Sequence, residues 1–230
     1  MTDLIVACIA FVGTHFMLSH PLRRPIVDRI GEGPFLGVYS LVAFATLGWM
    51  VWAYRAIPDA PPLWTVGNGL WALATGLTWL ASVLFVGSLI RNPAMPDPTG
   101  APRKVPAPRG VFAITRHPMM WGFALWALAH IAIFPPPAQI VLAFTIGLLA
   151  LVGAALQDGK KRRLQPDFWP RWQAVTSYIP FAAIGRGTAQ LAAAWPGTVP
   201  VVGGTVLWLA ASWAHLPLAG WDAGVWRWVG

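Results

Sequence analysis

The sequence predicts an all-α fold, a polytopic membrane bundle of about six transmembrane helices. Of the 230 residues, 57% are hydrophobic and only 10% are charged, whereas soluble domains contain about 25% charged residues. Six apolar runs are long enough to cross a bilayer, which takes roughly 17–25 residues. Basic residues concentrate in alternate connections between these runs. The length is that of one membrane domain, residues 1–230.

The first apolar run lacks the basic start and the small-residue cleavage site of a signal peptide, so we expect it to be a retained helix. The fourth and fifth runs are joined by the proline turn "FPPPAQ", which predicts a tight antiparallel hairpin. In order, we expect the six spans near residues 3–20, 35–54, 66–90, 113–134, 137–157 and 198–217.

Two further segments contain apolar residues, but we do not expect either of them to cross the membrane. The segment 178–195 is interrupted by Pro180, Gly185 and Gly187, so we expect it to be interfacial or re-entrant. The stretch "GKKRRLQPDFWPRWQAV" combines a basic cluster with Phe168, Trp169 and Trp172. We expect an interfacial cytoplasmic piece there, with these rings as membrane anchors.

Basic residues set the orientation of the predicted bundle. All of them except Arg55 and Arg227 fall in three connections, after the first, third and fifth spans. The positive-inside rule makes these connections cytoplasmic, Arg103 to Arg109 among them, and both termini periplasmic. We therefore expect a multi-pass protein of a bacterial inner membrane. The net charge of +8 suits anionic lipid head groups and gives no reason to expect nucleic acid.

All five histidines lie in or at the ends of predicted spans, where an ionisable side chain marks a functional site by default. A neutral histidine that hydrogen-bonds a neighbouring helix is the alternative. His117 and His130 point about 220° apart on one helix and lie roughly 20 Å apart along it. They cannot bind one metal ion, so a two-histidine site must combine different helices, as in bundles that hold a haem. The histidines are His15, His20, His117, His130 and His215.

Clusters of cysteine, or of acidic residues beside histidine, are missing from the predicted spans, so zinc and di-iron sites have little support. At the entrance of the fourth span, Pro118 suits a first helical turn. Arg116 then lies at the cytoplasmic boundary. It either extends to the lipid head groups or clamps an anion such as a haem propionate.

Four segments carry a family resemblance: "GTHFMLSHPLRRP", "LGVYSLVAFATLGWMVWAY", "ITRHPMMWGFALWALAHIAIF" and "YIPFAAI". Together they resemble the NnrU family and, more remotely, 15-cis-zeta-carotene isomerases, over residues of about 15–184. The last helix adds little to this resemblance. The isomerase branch binds b-type haem through two histidines, and their positions correspond to His15 and His130 in this sequence.

The expected helix directions leave the ligand pair open. His15 would lie about 8 Å from the inner membrane face and His130 about 20 Å from it, although two axial ligands need nearly equal depth. His20 and His117 match better in depth. His117 at the boundary is otherwise expected to position the cofactor, and we expect His215 to take no part.

The resemblance implies several functions. A haem-dependent cis–trans isomerase would lower the order of a double bond in a bound polyene, with the iron supplying the difficult chemistry. A non-enzymatic haem or redox factor would support the nitrite and nitric oxide reductases of denitrification. A methyltransferase is the third class, because "RHP" followed by Gly122 also resembles isoprenylcysteine and phospholipid methyltransferases. The acidic pair of those enzymes is replaced here by "GKKRRLQ".

Overall fold

The computed structural model describes residues 1–93 and 104–229, so Arg103 lies outside the described residues. Five helices are long and apolar enough to cross a membrane, and α6 is a shorter apolar helix. The prediction of a helical membrane bundle of about six spans is confirmed. The helices are α1 (Thr2–Ser19), α2 (Arg23–Ile30), α3 (Glu32–Arg55), α4 (Asn68–Ser88), α5 (Val111–Ile114), α6 (Pro118–Ile133), α7 (Pro137–Leu164), α8 (Trp169–Val175), α9 (Ala182–Gly185), α10 (Thr198–Trp213), α11 (His215–Ala219) and α12 (Trp226–Val229).

The long helices pack side by side in an order that differs from their order in the chain. Neighbour contacts run from α3 to α1, then to α7, α6, α4 and finally α10. One core cluster joins α1, α3 and α7 around Leu4, Phe11 and Met50. The arrangement places α7 between α1 and α6, and places α4 between α6 and α10.

The fourth predicted span is interrupted. Its expected range, 113–134, contains the end of α5, an extended break at residues 115–117, and α6. Thr115 donates a hydrogen bond from Oγ1 to the carbonyl of Tyr178 (2.7 Å), and the backbone N–H of Arg116 donates to Ser177 (2.9 Å). Hydrogen bonds to the 177–178 turn thus replace helical ones. With 16 residues, α6 is about 24 Å long, shorter than the roughly 30 Å hydrocarbon core.

The fifth span is longer than predicted, and the basic cluster belongs to it. α7 continues to Leu164 through Lys160, Lys161, Arg162 and Arg163. Cations near a helix C-terminus interact favourably with the helix dipole. The Nζ atom of Lys160 also donates to Oγ of Ser19 (2.8 Å), which connects the ends of α7 and α1. The basic cluster Lys160 to Arg163 is therefore part of α7 and not of a separate loop. The end of the bundle that carries it is called the basic end.

The expected aromatic anchors prove to be core residues. Trp169 and Trp172 are almost completely inaccessible, and they pack with Phe168, Phe112 and Val111 in a second core cluster. The prediction that these rings are membrane anchors was wrong, because α8 packs against α5 and buries them; the interfacial position of the segment stays a prediction. The segment 178–195 contains no spanning helix; α9 and a 3₁₀ helix at Leu191–Ala194 occupy it.

Small residues bring α4 and α10 close together. A Cβ atom on Gly204 would lie 2.6 Å from Cα of Val83, so the backbones are in direct contact. Two indole N–H groups span the same interface: Trp79 donates to Oγ1 of Thr205 (2.9 Å) and Trp208 donates to Oγ1 of Thr78 (3.1 Å). Close approach with interhelical hydrogen bonds is the usual way in which membrane helices associate.

Gly204→Ala is therefore expected to destabilise the protein by about 1–3 kcal/mol, because the added methyl group forces two backbones apart. Gly76→Ala on α4 is the matched control, since no atom lies within 4 Å of its added Cβ. Thermal unfolding in detergent measures both variants. Equal transition temperatures for the two would show that α10 does not pack on α4 in this way.

Candidate functional site

An apolar cavity of about 390 Å³ lies between α4, α6 and α10. This volume is within the range of small-molecule sites, about 300–1,000 Å³. Most of the hydroxyl groups on its walls are used inside their own helices: Thr75, Thr78, Ser82 and Ser212 each donate to the carbonyl four residues earlier. The cavity therefore favours an apolar ligand. Its walls include Trp71, Ala74, Thr75, Thr78, Ser82, Phe85, Gly122, Phe123, Trp126, His130, Ile133, Leu207, Trp208, Ser212, His215, Trp221 and Gly224.

Two imidazole rings lie close to each other at one end of this cavity. His130 lies in the last turn of α6, and His215 is the first residue of α11, directly after α10. Their ring centroids are 6.1 Å apart and their planes differ by 30°. A metal–imidazole bond is about 2 Å long, so two rings on opposite sides of one metal ion have centroids roughly 6 Å apart. The spacing of these two rings fits ligation of a single ion.

The hydrogen bonds of both rings determine which nitrogen remains for a ligand. Nδ1 of His130 lies 2.8 Å from the carbonyl oxygen of Trp126, and Nδ1 of His215 lies 2.9 Å from that of Ala211. A carbonyl oxygen only accepts, so Nδ1 carries the proton in each ring. Nε2 then keeps its lone pair. This is the arrangement of metal-binding histidines, whose second nitrogen usually donates to a carbonyl or carboxylate.

Aromatic side chains hold the two imidazoles in place. The ring of Trp126 lies against His130 with a centroid distance of 4.0 Å. Trp221 contacts His215 edge-on at 5.9 Å and also packs against Phe134 and Trp71. The segment that follows α11 thus returns over the cavity, and rotation of either histidine is restricted by neighbouring rings.

His15 lies in a different part of the bundle. Its ring packs against Phe11 and Tyr39, with centroid distances of 4.4 and 5.5 Å, and its Nδ1 donates to the carbonyl of Phe11 (2.6 Å). It belongs to α1, which is separated from α6 by α7. The lining described for the cavity does not include it.

Contacts with α7 give the depth of both predicted ligands. Phe16, next to His15, is at the level of Gly153, whereas Ala127, one turn before His130, is at the level of Gly147. With a rise of 1.5 Å per residue, His15 and His130 differ in depth by roughly 12 Å. This geometry disfavours them as ligands of one iron, and their pairing stays a prediction for substitution experiments to test.

A buried carboxylate organises the opposite end of α6. Asp158 on α7 accepts from Nε of Arg116, which is 3.0 Å from both carboxylate oxygens, and from Nε2 of His117 at 2.9 Å. A terminal nitrogen of the guanidinium donates to the same carboxylate. All three side chains are largely buried. Tyr178 lies beside His117, and burial together with the Asp158 charge raises the pKa of its phenol.

This network gives Arg116 a partner that the sequence analysis did not foresee. The guanidinium forms an ion pair with Asp158. It lies about 20 Å from His130, measured along the axis of α6. A propionate clamp by Arg116 on a haem bound at His130 therefore has no support from the geometry. His20 caps α1 near the same end, where burial and the charges of Lys160 and Arg163 lower its pKa.

Two site residues were missed, although the sequence contained a signal for each. Asp158 follows the predicted end of the fifth span and precedes the four basic residues Lys160 to Arg163. A tight hairpin at Pro136 brings the start of the fourth span beside it. His215 and His130 both lie at the outer ends of their predicted spans, and equal depth could have identified the pair.

The described residues contain no group of three or more His, Cys, Asp and Glu side chains that could hold a metal ion. A protein-only zinc or di-iron centre is thus not supported within residues 1–93 and 104–229. Two imidazoles can hold an iron whose remaining coordination positions come from a macrocycle, as in haem.

The fold and the site define a class: polytopic helical membrane proteins with a histidine-lined apolar cavity. The sequence profile described as "NnrU protein" matches residues 3–223, and the chain belongs to the NnrU family. This match is longer than the 15–184 expected from the motifs, since it also includes α10 and His215.

A curated relative is the chloroplastic 15-cis-zeta-carotene isomerase of Zea mays. It is 34% identical to this chain over 114 residues, which is 46% of this chain and 30% of that protein. The chain thus matches less than a third of the relative's length. No solved structure has a significant match to the chain.

Proposed function

We propose that this protein binds b-type haem at one end of the apolar cavity, where His130 and His215 would hold the iron. The observation that carries the proposal is the pair of neighbouring rings, 6.1 Å apart between centroids, each with Nδ1 bonded to a carbonyl. A haem at this position would supply a redox-active iron next to an apolar chamber. The imidazoles would each offer an Nε2 lone pair, and their Nδ1–H bonds would raise its basicity.

The same cavity supports a long apolar substrate. Its hydroxyl groups are bonded within helices, and its remaining walls are largely hydrocarbon and aromatic rings. The similarity to a protein named for isomerising 15-cis-zeta-carotene favours a polyene. We propose a cis–trans isomerase in which Trp126, Phe123 and Trp208 hold the chain of double bonds and exclude water from it.

A second function is favoured by one specific observation. The rings of His130 and His215 lie 6.1 Å apart; if both held the iron of a haem, no coordination position would remain for a substrate atom, which is typical of electron-transfer haems. The alternative is therefore a non-enzymatic haem or redox factor, such as one that supports the denitrification reductases. A methyltransferase is less favoured. The acidic pair of those enzymes is replaced here by "GKKRRLQ", and the acid directly before this stretch, Asp158, is already bonded to Arg116 and His117.

We expect detergent-purified protein to show a Soret band, with α and β bands after reduction by dithionite. Protein without such bands, both as isolated and after incubation with hemin, would contradict haem binding. Chromatography of 15-cis-zeta-carotene incubated with the reduced protein then separates the two functions. A new trans product that depends on His130 indicates the isomerase, and reversible redox cycling without product indicates the redox factor.

A further inference from the structure

A second cavity, of about 470 Å³, lies at the basic end of the bundle. It is enclosed by the end of α4, the start of α5 and the turn before α10, and shares no lining residue with the histidine cavity. We name it the arginine cavity after Arg91 and Arg109. Its other walls include Gly87, Ile90, Pro106, Gly110, Val111, Phe112, Trp172, Trp195, Pro196 and Pro200.

Within the part of the chain that the structure describes, the charged side chains lining the arginine cavity are all basic. Arg91 and Arg109 are both exposed, and no acidic residue is present in its described lining. Within the described chain, the arginines with an acidic partner are Arg23, Arg24 and Arg116. Two exposed guanidinium groups offer forked donors to an anion, and phosphate is a group that such donors bind well.

The rest of this cavity is apolar and reaches the exposed surface of the protein. Phe112 and Trp172 form its buried wall, while Ile90 and Trp195 are exposed at its rim. Gly110 allows the close approach of two walls: its φ is +61°, and its N–H donates to the carbonyl of Ala193 (2.8 Å). A ligand here would thus meet cations at one side and hydrocarbon at the other.

We propose that the arginine cavity binds one anionic phospholipid, with its phosphate at Arg91 and Arg109 and an acyl chain along Phe112, Ile90 and Trp195. Basic pockets between membrane helices commonly bind anionic head groups. The position fits, because the cavity lies at the end of the bundle where Lys160–Arg163 and Arg116 also lie. A small phosphate compound would use the same cations without the apolar wall.

The test compares ligands on the whole chain in dodecyl maltoside. We expect dioleoyl-phosphatidylglycerol to raise the thermal transition temperature, and native mass spectrometry to retain one such lipid per chain. Dioleoyl-phosphatidylcholine should do neither. If inorganic phosphate stabilises as much as phosphatidylglycerol, the ligand is a soluble anion. If phosphatidylcholine raises the transition temperature as much as phosphatidylglycerol, the negative charge of the lipid makes no contribution to binding. Either result would overturn the proposal.

The double variant Arg91→Gln, Arg109→Gln is expected to lower the affinity for phosphatidylglycerol roughly thirtyfold, the effect of two basic residues at an anionic surface. The control is Arg24→Gln, Arg171→Gln, which removes the same charge from two exposed positions. Retention of the lipid by the first variant, or equal loss in both, would show that the arginine cavity is not the site. Lipid-free transition temperatures verify folding, and lysine at both positions should recover most of the binding.

Discussion

Replacing His215 with alanine is expected to lower haem occupancy as strongly as replacing His130. Each change would remove one of two ligands, and because loss of a mere hydrogen-bond partner of a ligand costs 10–100-fold in metal affinity, we expect at least about a tenfold loss. The measurement is the ratio of Soret to protein absorbance after hemin titration. Added imidazole should restore the band in both variants, because it can occupy the space that the side chain leaves.

His15→Ala separates the geometric pair from the pair implied by the family resemblance. With His130 and His215 as ligands, this variant should keep the wild-type Soret maximum and occupancy. Loss of haem in His15→Ala together with a normal spectrum in His215→Ala would instead establish His15 and His130. An unchanged spectrum in all three variants would mean that no haem is held by these histidines.

Asp158→Asn is expected to lower the free energy of unfolding by about 3–5 kcal/mol, the typical result of removing one partner from a buried ion pair. The guanidinium of Arg116 would remain buried without its counter-charge, and His117 would lose the acceptor of its Nε2–H. Thermal or denaturant unfolding in detergent measures the change.

The exposed ion pair Arg23–Glu32, with an N–O distance of 2.5 Å, provides the control for Asp158. Its Glu32→Gln variant should cost only about 0–1 kcal/mol, because solvent screens surface pairs. Similar losses of unfolding free energy for Asp158→Asn and Glu32→Gln would mean that the Asp158 carboxylate, beside the start of α6, is solvated. Retention of haem by a folded Asp158→Asn variant would further separate this structural network from the histidine site.

Much of the fold could be predicted because membrane spans are a local property. Twenty apolar residues in a row define a helix in lipid, where every backbone group needs an internal partner. The starts and ends were less certain. α7 extends to Leu164, and two residues in this extension have partners elsewhere: Lys160 bonds Ser19 of α1, and Asp158 bonds Arg116 in the break before α6. The fourth span is interrupted because the 177–178 turn accepts its hydrogen bonds.

The sequence by itself determined that this is a helical membrane protein, that its histidines lie in or at the ends of the spans, and that His117 and His130 cannot share an ion. These conclusions follow from hydropathy and from the pitch of one helix. Only the tertiary structure decided which helices are neighbours. The order α3, α1, α7, α6, α4, α10 separates His15 from His130 and brings His215 to it, and it places Asp158 against Arg116. Such pairings join residues 42 and 85 positions apart, and they depend on close packing between helices, which no local pattern in the chain encodes.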